Sequence, residues 1–392
     1  MITLKILQRR SGPVKNRHPW VFSGALENIP DNLQPGTPVR LVNERDVYMA
    51  SGYFNSYSQI AVRIWGHDEK EETNREFFVK RIECARETRQ KYVESGETDS
   101  YRLINGENDF LPGLIVDKYG DCLVLQCHTR GIESWKENIV AALLETMKPG
   151  GIYERSDIPS RKIEGLEAQS GLLYGAVPEL ITIKENGFKF LVDVKHGQKT
   201  GFYLDQRDKR RALLKYAKDK TALNCFSYTG GFTVYALAGG AQKVTAVDTS
   251  SPALELAKEN IRINNLDPDK CEFVCEDVKK YLKNTHDRKF DLIILDPPAF
   301  IKDRRKINEG LIGYKNINEA ALSLLPEKGV LITCSCSAHL SLQDFRYMLV
   351  EAGGKTGRSV RILETYIHGI DHAELAPFLE GEYLKCFITS VL

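Results

Sequence analysis

From about residue 185 onward, strand-like and helix-like segments alternate along the chain, and this alternation constrains the fold more than any other feature. The strand-like runs are TALNCF, KVTAVD, CEFVCED, FDLIILD and GVLITCS. Helical spacing of apolar residues begins at Gly231 and recurs over 252–264 and 311–325. A strand that alternates with a helix forms a βαβ unit, whose strands pair in parallel. Residues 185–392 are therefore predicted to form a doubly wound, Rossmann-like α/β domain.

The chain before residue 185 follows a different pattern, which predicts two smaller domains. Residues 1–70 contain short β-type runs such as PVRLVN and VYMASGYFN, separated by glycine and proline. This pattern indicates a small β-barrel. Helical spacing then begins over 73–94, so the first boundary falls near Asp68 to Glu72. The runs LIVDKY and CLVLQCH and a helix over about 133–147 predict a small α+β middle domain over 71–184.

Composition excludes several classes of protein. A chain of 392 residues exceeds the length at which one hydrophobic core usually stops growing, which favours several domains. No apolar run approaches the ~18 residues of a membrane span, and the N-terminal MITLKILQRR lacks the apolar core of a signal peptide. The nine cysteines form no C-x-x-C pair, which argues against zinc and disulfides. We therefore expect a soluble cytoplasmic protein without a metal site.

A cofactor site is indicated by the segment from Ala222 to Asp248, which reads as strand, turn, helix and strand. Gly230 and Gly231 would let the backbone approach a ligand at the helix N-terminus, and Asp248 could accept both ribose hydroxyls. This pattern indicates a nucleoside site. NAD fits less well, because the loop SYTGG lacks the G-x-G-x-x-G pattern that cradles a pyrophosphate.

Further acidic residues follow the neighbouring strand-like runs. CEFVCED ends in Glu276-Asp277, where a carboxylate could meet the adenine amine, and FDLIILD ends in Asp296. Each carboxylate alone could also be a helix N-cap or a solvated loop charge. Because open α/β sheets bind ligands at the carboxyl ends of their strands, we expect these residues together to hold S-adenosylmethionine. The candidate cofactor-binding residues are Gln198, Thr200, Tyr203, Asn224, Phe226, Tyr228, Thr229, Gly230, Gly231, Asp248, Ser250, Asp277 and Asp296.

Two stretches are locally basic, Lys189 to Arg211 and Lys302 to Lys306, although the net charge is only +1. Such a run is often only a solvated face. The segment KHGQKTGFYLDQR at 195–207 has two interpretations, a nucleic-acid strip or a cap over the cofactor. We favour the cap, with His196 structural. The basic residues of the following helix are then expected to be free to meet phosphate, namely Arg207, Lys209, Arg210 and Arg211.

Candidate catalytic residues follow the strand-like run GVLIT, in the segment Cys334-Ser335-Cys336-Ser337. C5 of a pyrimidine becomes nucleophilic only after a group such as a thiolate adds at C6, and a base must later remove the C5 proton. Cys336 is the first choice of nucleophile and Cys334 the second, with Asp296 the leading candidate base. The candidate substrate-binding residues are Arg207, Pro297, Pro298 and Phe300. The Phe300 ring could stack on an extruded base, although it could also simply pack in the core.

These residues resemble a known family. GQKTGFYLDQR, NCFSYTGGF, VDTS, LDPPAF and TCSCS together look like the bacterial 23S ribosomal RNA 5-methylcytosine methyltransferases of the large-subunit type I family, over the whole chain. The resemblance implies an N-terminal PUA domain that contacts RNA, a middle domain and a class I methyltransferase domain that uses S-adenosylmethionine. It also implies a homodimer, and a nucleophile in a Ser-Cys-Ser segment, which corresponds to Cys336.

Some details depart from this family or leave alternatives open. Thr333-Cys334-Ser335 fits the Thr-Cys-Ser segment of another group of RNA 5-methylcytosine enzymes, and Ala299 stands where that group has a cysteine that assists product release. LDPPAF also resembles the D-P-P-Y loops of N-methyltransferases. The alternatives are therefore methylation at uracil C5 or an exocyclic amine, or a non-catalytic RNA-binding protein of ribosome assembly.

The choice between the two cofactors can be tested by calorimetric titration of the whole protein with each one. We expect S-adenosylmethionine to bind and NAD to release no binding heat, because the SYTGG loop lacks a pyrophosphate cradle. Tight binding of the dinucleotide would contradict the predicted cofactor site.

Overall fold

A computed structural model of the chain describes residues 1–285 and 287–392. It contains two compact units. The first comprises Met1–Lys184, Val192–Leu204 and Ile370–Gly381, and the second comprises Glu185–Leu191, Asp205–Gly369 and Glu382–Leu392. No helix among the described residues is both long enough and apolar enough to span a membrane. We keep the division into domains 1–70, 71–184 and 185–392 as a proposal about which segments fold on their own.

The first unit begins with a six-stranded sheet whose strands lie in the order β2-β6-β5-β4-β1-β3. Apolar side chains such as Val39, Leu41 and Val62 alternate along its strands and pack into one core. The elements are β1 (Ile2–Ile6), α1 (Gly12–Lys15), β2 (Trp20–Phe22), β3 (Leu26–Glu27), β4 (Pro38–Val42), β5 (Tyr48–Phe54) and β6 (Ile60–Gly66).

The second sheet of the first unit has five strands, in the order β11-β10-β9-β8-β7. The helix before it begins at Arg75, two residues later than the spacing predicted, because the Asn74 side chain accepts a hydrogen bond from the Phe77 backbone N–H at 3.0 Å and caps the first turn. The elements are α2 (Arg75–Tyr92), β7 (Tyr101–Asn105), β8 (Leu114–Tyr119), β9 (Cys122–Cys127), α3 (Arg130–Ser134), α4 (Lys136–Met147), β10 (Gly151–Ser156) and β11 (Gln169–Gly175). The next strand, β12 (Ile181–Glu185), lies outside this sheet.

The rest of the chain alternates strands and helices as predicted. The elements are β13 (Phe188–Val192), α5 (Arg207–Leu213), β14 (Thr221–Cys225), α6 (Gly231–Ala238), β15 (Lys243–Asp248), α7 (Ser251–Arg262), β16 (Cys271–Cys275), α8 (Val278–Asn284), β17 (Leu292–Leu295), α9 (Ile307–Leu324), β18 (Val330–Ser335), α10 (Leu342–Thr356), β19 (Val360–Tyr366) and β20 (Lys385–Val391). The predicted helix from Gly231 is confirmed, and α7 and α9 begin one and four residues earlier than the spacing predicted.

The seven-stranded sheet of the second unit has the order β16-β15-β14-β17-β18-β20-β19. Its first five strands pair in parallel, which confirms the predicted βαβ core. The last two strands pair differently: β20 is antiparallel to β18, and β19 is antiparallel to β20. The sheet is therefore not parallel throughout, because apolar periodicity predicts a strand but carries no information about its direction.

One hydrophobic core of the second unit lies between this sheet and helices α8, α9 and α10. It includes Leu223 on the central strand, Tyr314 on α9 and Phe345 on α10, each at most 1% exposed. Burial of one such large apolar side chain stabilises the fold by about 1.5–3 kcal/mol. This core holds the strands that carry the candidate site.

The basic helix α5 differs from the expectation. Lys209 and Arg210 are 0% and 2% exposed, so the prediction that they are free to meet phosphate is wrong. The Arg210 guanidinium forms two hydrogen bonds with the Glu185 carboxylate at 2.6 and 2.7 Å, and the Lys209 ammonium donates to the Asp205 carbonyl oxygen at 2.6 Å. Arg207 is also buried, whereas Arg211 is exposed. A buried charge requires a partner, which these contacts supply.

The Arg210–Glu185 pair yields a stability prediction for the second unit. Glu185→Gln should lower the free energy of unfolding by about 3–5 kcal/mol, because it leaves a buried guanidinium uncompensated. Tryptophan fluorescence would report on the wrong unit, because Trp20, Trp65 and Trp135 all lie in the first unit. The stability of the second unit is therefore measured by hydrogen exchange of the α6 amides.

The matched control is Glu255→Gln, which breaks the exposed Lys258–Glu255 pair. An exposed pair contributes about 0–1 kcal/mol. Equal effects of the two substitutions would contradict the structural role of the buried pair.

Candidate cofactor and active site

Four neighbouring parallel strands end at one edge of the second unit's sheet. Cys225 at the end of β14 pairs with Leu295 at the end of β17 on one side and with Val247 of β15 on the other. Asp248, the last residue of β15, pairs with Cys275, the last residue of β16. The loops after these strands therefore begin side by side, as expected for a ligand site in an open α/β sheet.

Asp248 organises the loop that follows β14. Its side chain accepts hydrogen bonds from the backbone N–H groups of Tyr228 at 2.8 Å and Ser250 at 2.9 Å. The residue is 8% exposed. The carboxylate thus ties together the two loops on which a nucleoside would lie.

The loop from Phe226 to Gly230 has an unusual backbone. Phe226, Tyr228 and Gly230 have φ angles of 60°, 46° and 78°. Left-handed conformations of residues other than glycine are uncommon and often occur at functional sites. A Cβ atom at Gly230 would lie 2.8 Å from the Ala257 Cβ, so glycine is also required there for packing against α7.

Buried polar atoms without partners, at the end of β14 and in the loop after it, mark a place for a polar ligand. Asn224 Oδ1, Ser227 Oγ and Thr229 Oγ1 have no hydrogen-bond partner among the described residues. Leaving a buried polar atom unpaired costs about 1–3 kcal/mol. A ligand with hydroxyl, amino and carboxylate groups, such as S-adenosylmethionine, fits this set of donors and acceptors.

Two other candidate residues cap helices at the same edge. The Ser250 hydroxyl accepts from the Ala253 N–H at 3.3 Å at the start of α7. One Asp277 oxygen accepts from the Lys280 N–H at 3.0 Å at the start of α8. The N-cap interpretation therefore applies to both, and each still lies at the edge where the four strands end.

The LDPPAF segment follows β17 at this edge. Asp296 accepts a hydrogen bond from the Gln206 side-chain amide at 2.8 Å. The Phe300 ring is half-buried against Tyr314, with ring centroids 4.7 Å apart. Pro297 is buried, whereas Pro298 is exposed.

The two cysteines of the TCSCS segment have different environments. Cys334 lies inside β18, is 0% exposed and pairs across the sheet with Cys386. A hydrogen bond with Cys386 and complete burial hold the pKa of Cys334 well above the usual thiol value. Cys336 lies just beyond the strand end, is half-buried, and donates its S–H to the Pro297 carbonyl oxygen at 3.8 Å. Cys336 is therefore the thiol beside LDPPAF.

Tyr314 and Lys385 support this arrangement, although the sequence analysis did not single them out. The Tyr314 hydroxyl lies 2.9 Å from Ser337 Oγ and 3.4 Å from the Phe300 backbone N, so it links the LDPPAF segment to the segment after β18. The buried Lys385 ammonium donates to the Ser337 carbonyl oxygen at 3.2 Å. Sequence spacing carries no signal for these contacts, because both residues look like ordinary members of an amphipathic helix and a strand.

Three candidate cofactor residues belong to the first unit. The buried Thr200 hydroxyl donates to Asp117 at 2.6 Å and lies 2.8 Å from the Tyr119 hydroxyl. Tyr203 donates its hydroxyl proton to Gln198 Oε1 at 2.5 Å. Their assignment to the cofactor stays a prediction.

A cluster of potential metal ligands also lies in the first unit, formed by Cys127, Glu133 and Glu154. Lys136 contacts both carboxylates, at 2.7 and 3.1 Å, and Arg161 contacts Glu133 at 2.8 Å. Burial raises the pKa of the Cys127 thiol well above its usual value. These ion pairs account for the cluster, and we assign no metal to it.

Comparisons with known proteins agree with this geometry. Residues 166–376 match the family model of S-adenosylmethionine-dependent methyltransferases, and residues 4–66 match that of PUA-like domains. Ribosomal RNA large subunit methyltransferases I of Escherichia coli and Shigella boydii are 41% identical to the chain, with 100% of each sequence covered.

Solved structures are also similar over the full length of both chains. A Streptococcus mutans protein described as a SAM-dependent methyltransferase has a TM-score of 0.85 at 27% identity. A second protein, described as a methyltransferase and solved in complex with SAH, has a TM-score of 0.86 at 27% identity. The predicted fold class, PUA-like domain and cofactor are thereby confirmed. The chain belongs to the S-adenosylmethionine-dependent methyltransferases, in the family of the ribosomal RNA large subunit methyltransferases I.

Proposed function

We propose that this protein transfers a methyl group from S-adenosylmethionine to C5 of a cytosine in 23S ribosomal RNA through a covalent Cys336 adduct. The observation that carries the proposal is the half-buried Cys336 thiol, which lies 3.8 Å from the Pro297 carbonyl oxygen of LDPPAF. Methylation of a pyrimidine at C5 needs a thiolate that adds to C6, whereas an exocyclic amine is itself nucleophilic and needs no thiol.

The RNA substrate is supported by the names of the relatives and by the PUA-like domain. Proteins that share 41% identity over the whole chain are named ribosomal RNA large subunit methyltransferase I. Phe300 and the exposed Pro298 lie beside Cys336's partner Pro297 and would contact an extruded base.

The cofactor would be held by the loop after β14 and by Asp248. The unpaired Asn224 Oδ1, Ser227 Oγ and Thr229 Oγ1 offer polar contacts, and the loop that Asp248 orders presents them. Bound S-adenosylmethionine supplies an electrophilic methyl group. Asp277 remains the candidate for the adenine amine, because one of its carboxylate oxygens caps α8 while the side chain stays exposed to a ligand at this edge.

The protein's own groups then perform the remaining chemistry. The Cys336 thiol loses its proton to water and adds as the thiolate to C6 of the cytosine. An S–C6 bond forms, the electrons of the C5–C6 double bond shift to C5, and C5 becomes nucleophilic. After methylation, Asp296 accepts the C5 proton and the electrons of that C–H bond expel the Cys336 thiolate. Gln206 orients the Asp296 carboxylate through its 2.8 Å hydrogen bond.

Cys336 is a better nucleophile candidate than Cys334 for physical reasons. The raised pKa of Cys334 keeps that thiol protonated, and its complete burial prevents contact with a base. Cys336 lies beyond the end of β18, one residue past its last pairing with β20, and is only half-buried. Cys334 serves instead as a small core residue.

The first test is nucleoside analysis of ribosomal RNA from cells that lack the enzyme, after incubation with the protein and a tritiated methyl donor. We expect label in 5-methylcytidine. Cys336→Ser should lower the rate by at least about 100-fold, because the hydroxyl cannot add to C6. Cys334→Ser is the matched control and should retain activity if the protein folds.

Other outcomes of this experiment are equally informative. Full activity of Cys336→Ser would exclude the covalent mechanism. Label in an N-methylated nucleoside would instead support the alternative suggested by the Asp-Pro-Pro motif, and label in 5-methyluridine would keep the mechanism but change the base.

The role of Asp248 can be tested through cofactor affinity alone. Asp248→Asn should raise the Kd for S-adenosylmethionine by about 10- to 100-fold, because an amide cannot accept from both loop N–H groups. Calorimetry measures the effect. Asp269→Asn, an exposed change in the turn before β16, is the control, and equal affinities of the two variants would refute the assignment.

A further inference from the structure

Two clefts on the second unit merge into one groove beside the active site. A cleft of about 380 Å³ is lined by Phe300 and Lys302 among others, and a cleft of about 570 Å³ is lined by Leu282 and Lys283 among others. Both contain Lys279 and Gly313, so they are continuous. We call the combined feature, from Phe300 and Lys302 through Lys279 to Lys283, the flank groove.

The flank groove is predominantly basic. Lys279, Lys283 and Lys302 are exposed, and no carboxylate forms an ion pair with them in the part of the chain that the structure describes. A fourth lysine, Lys355, is paired with Glu319 at 3.4 Å. A second glutamate, Glu309, lines the same cleft as Lys302, so the whole lining carries four lysines and two glutamates. This excess of positive charge suits a phosphate backbone.

The floor of the groove is apolar and includes an aromatic ring. Leu282, Ile317 and Ala320 line it. The Lys279 ammonium lies 4.8 Å from the Phe300 ring centroid. A Cβ at Gly313 would lie 3.1 Å from Phe300 Cδ2, so the glycine lets this ring lie close against α9. Apolar and aromatic surface next to positive charge is the combination with which proteins hold unpaired bases and their phosphates.

The position of the groove indicates which ligand it binds. It starts at Pro298 and Phe300 of LDPPAF and follows α9 from Gly310 to Leu324, which corresponds to about 20 Å of helix. An enzyme that extrudes a base must also hold the strand beside that base. The groove is continuous with the place where this base would lie.

We propose that the flank groove binds the single-stranded RNA segment adjoining the target nucleotide, with Lys279, Lys283 and Lys302 at its phosphates. This inference rests on the proposed RNA substrate and extends the binding surface beyond the catalytic segments. It also assigns a role to Lys302 in the basic run 302–306. In the other basic run, 189–211, the side chains of Lys209 and Arg210 are buried.

The test compares two triple variants of the full chain that lose the same charge. The groove variant is Lys279→Gln, Lys283→Gln and Lys302→Gln. The control variant replaces Lys218, Lys270 and Lys328, which are exposed near the amino ends of β14, β16 and β18, at the opposite edge of the sheet. The Kd for unmodified 23S ribosomal RNA transcript is measured as a function of KCl concentration.

The groove variant should reduce the slope of log Kd against log salt by about 2, because each single-strand phosphate contact contributes about 0.7. At 0.1 M salt its Kd should rise by about 10- to 100-fold relative to wild type. The control variant should keep the wild-type salt slope. Single-stranded RNA should compete with the transcript less effectively for binding to the groove variant than for binding to the control variant.

Equal salt slopes for the groove and control variants would overturn the proposal and would leave an acidic protein as the candidate occupant. Failure of the proposed function is distinguishable. If wild type yields no methylated nucleoside while the groove variant still loses RNA affinity, the groove assignment holds and the catalytic one fails.

Discussion

The parallel pairing of β14 with β15 and β17 is the interaction on which the rest of the second unit depends. Its register brings Cys225, Val247 and Leu295 to the same level, so that the following loops start together. Parallel strands also require helical crossovers, which supply the core on both faces. A shift of one residue would turn the Asn224 side chain to the opposite face and remove it from the loop that it supports.

Hydrogen bonds between loops convert this shared edge into a defined site. Asp248 ties the loop after β14 to the start of α7, and Tyr314 ties LDPPAF to the segment after β18. Burial raises the pKa of Tyr314, so its hydroxyl remains a donor. These contacts are made by buried groups in a region of low dielectric constant, where an unpaired polar atom is costly and a paired one holds its position.

The basic residues show how burial divides one type of side chain into two roles. Arg210 is enclosed with Glu185 and stabilises the second unit, whereas Lys283 and Lys302 remain exposed beside an apolar floor. Only the exposed group retains a charge that a polyanion can reach.

The sequence by itself determined the α/β alternation, the strand ends that carry Asp248 and Asp296, and the family, because strand and helix periods and short motifs are local properties. The tertiary structure decided the direction of β20, the burial of Arg210 and the difference between the two neighbouring thiols. Cys334 and Cys336 are two residues apart and would share one face of an extended strand, but β18 ends at Ser335 and Cys386 covers only the first. Such outcomes depend on contacts between residues far apart in the chain, which local spacing does not encode.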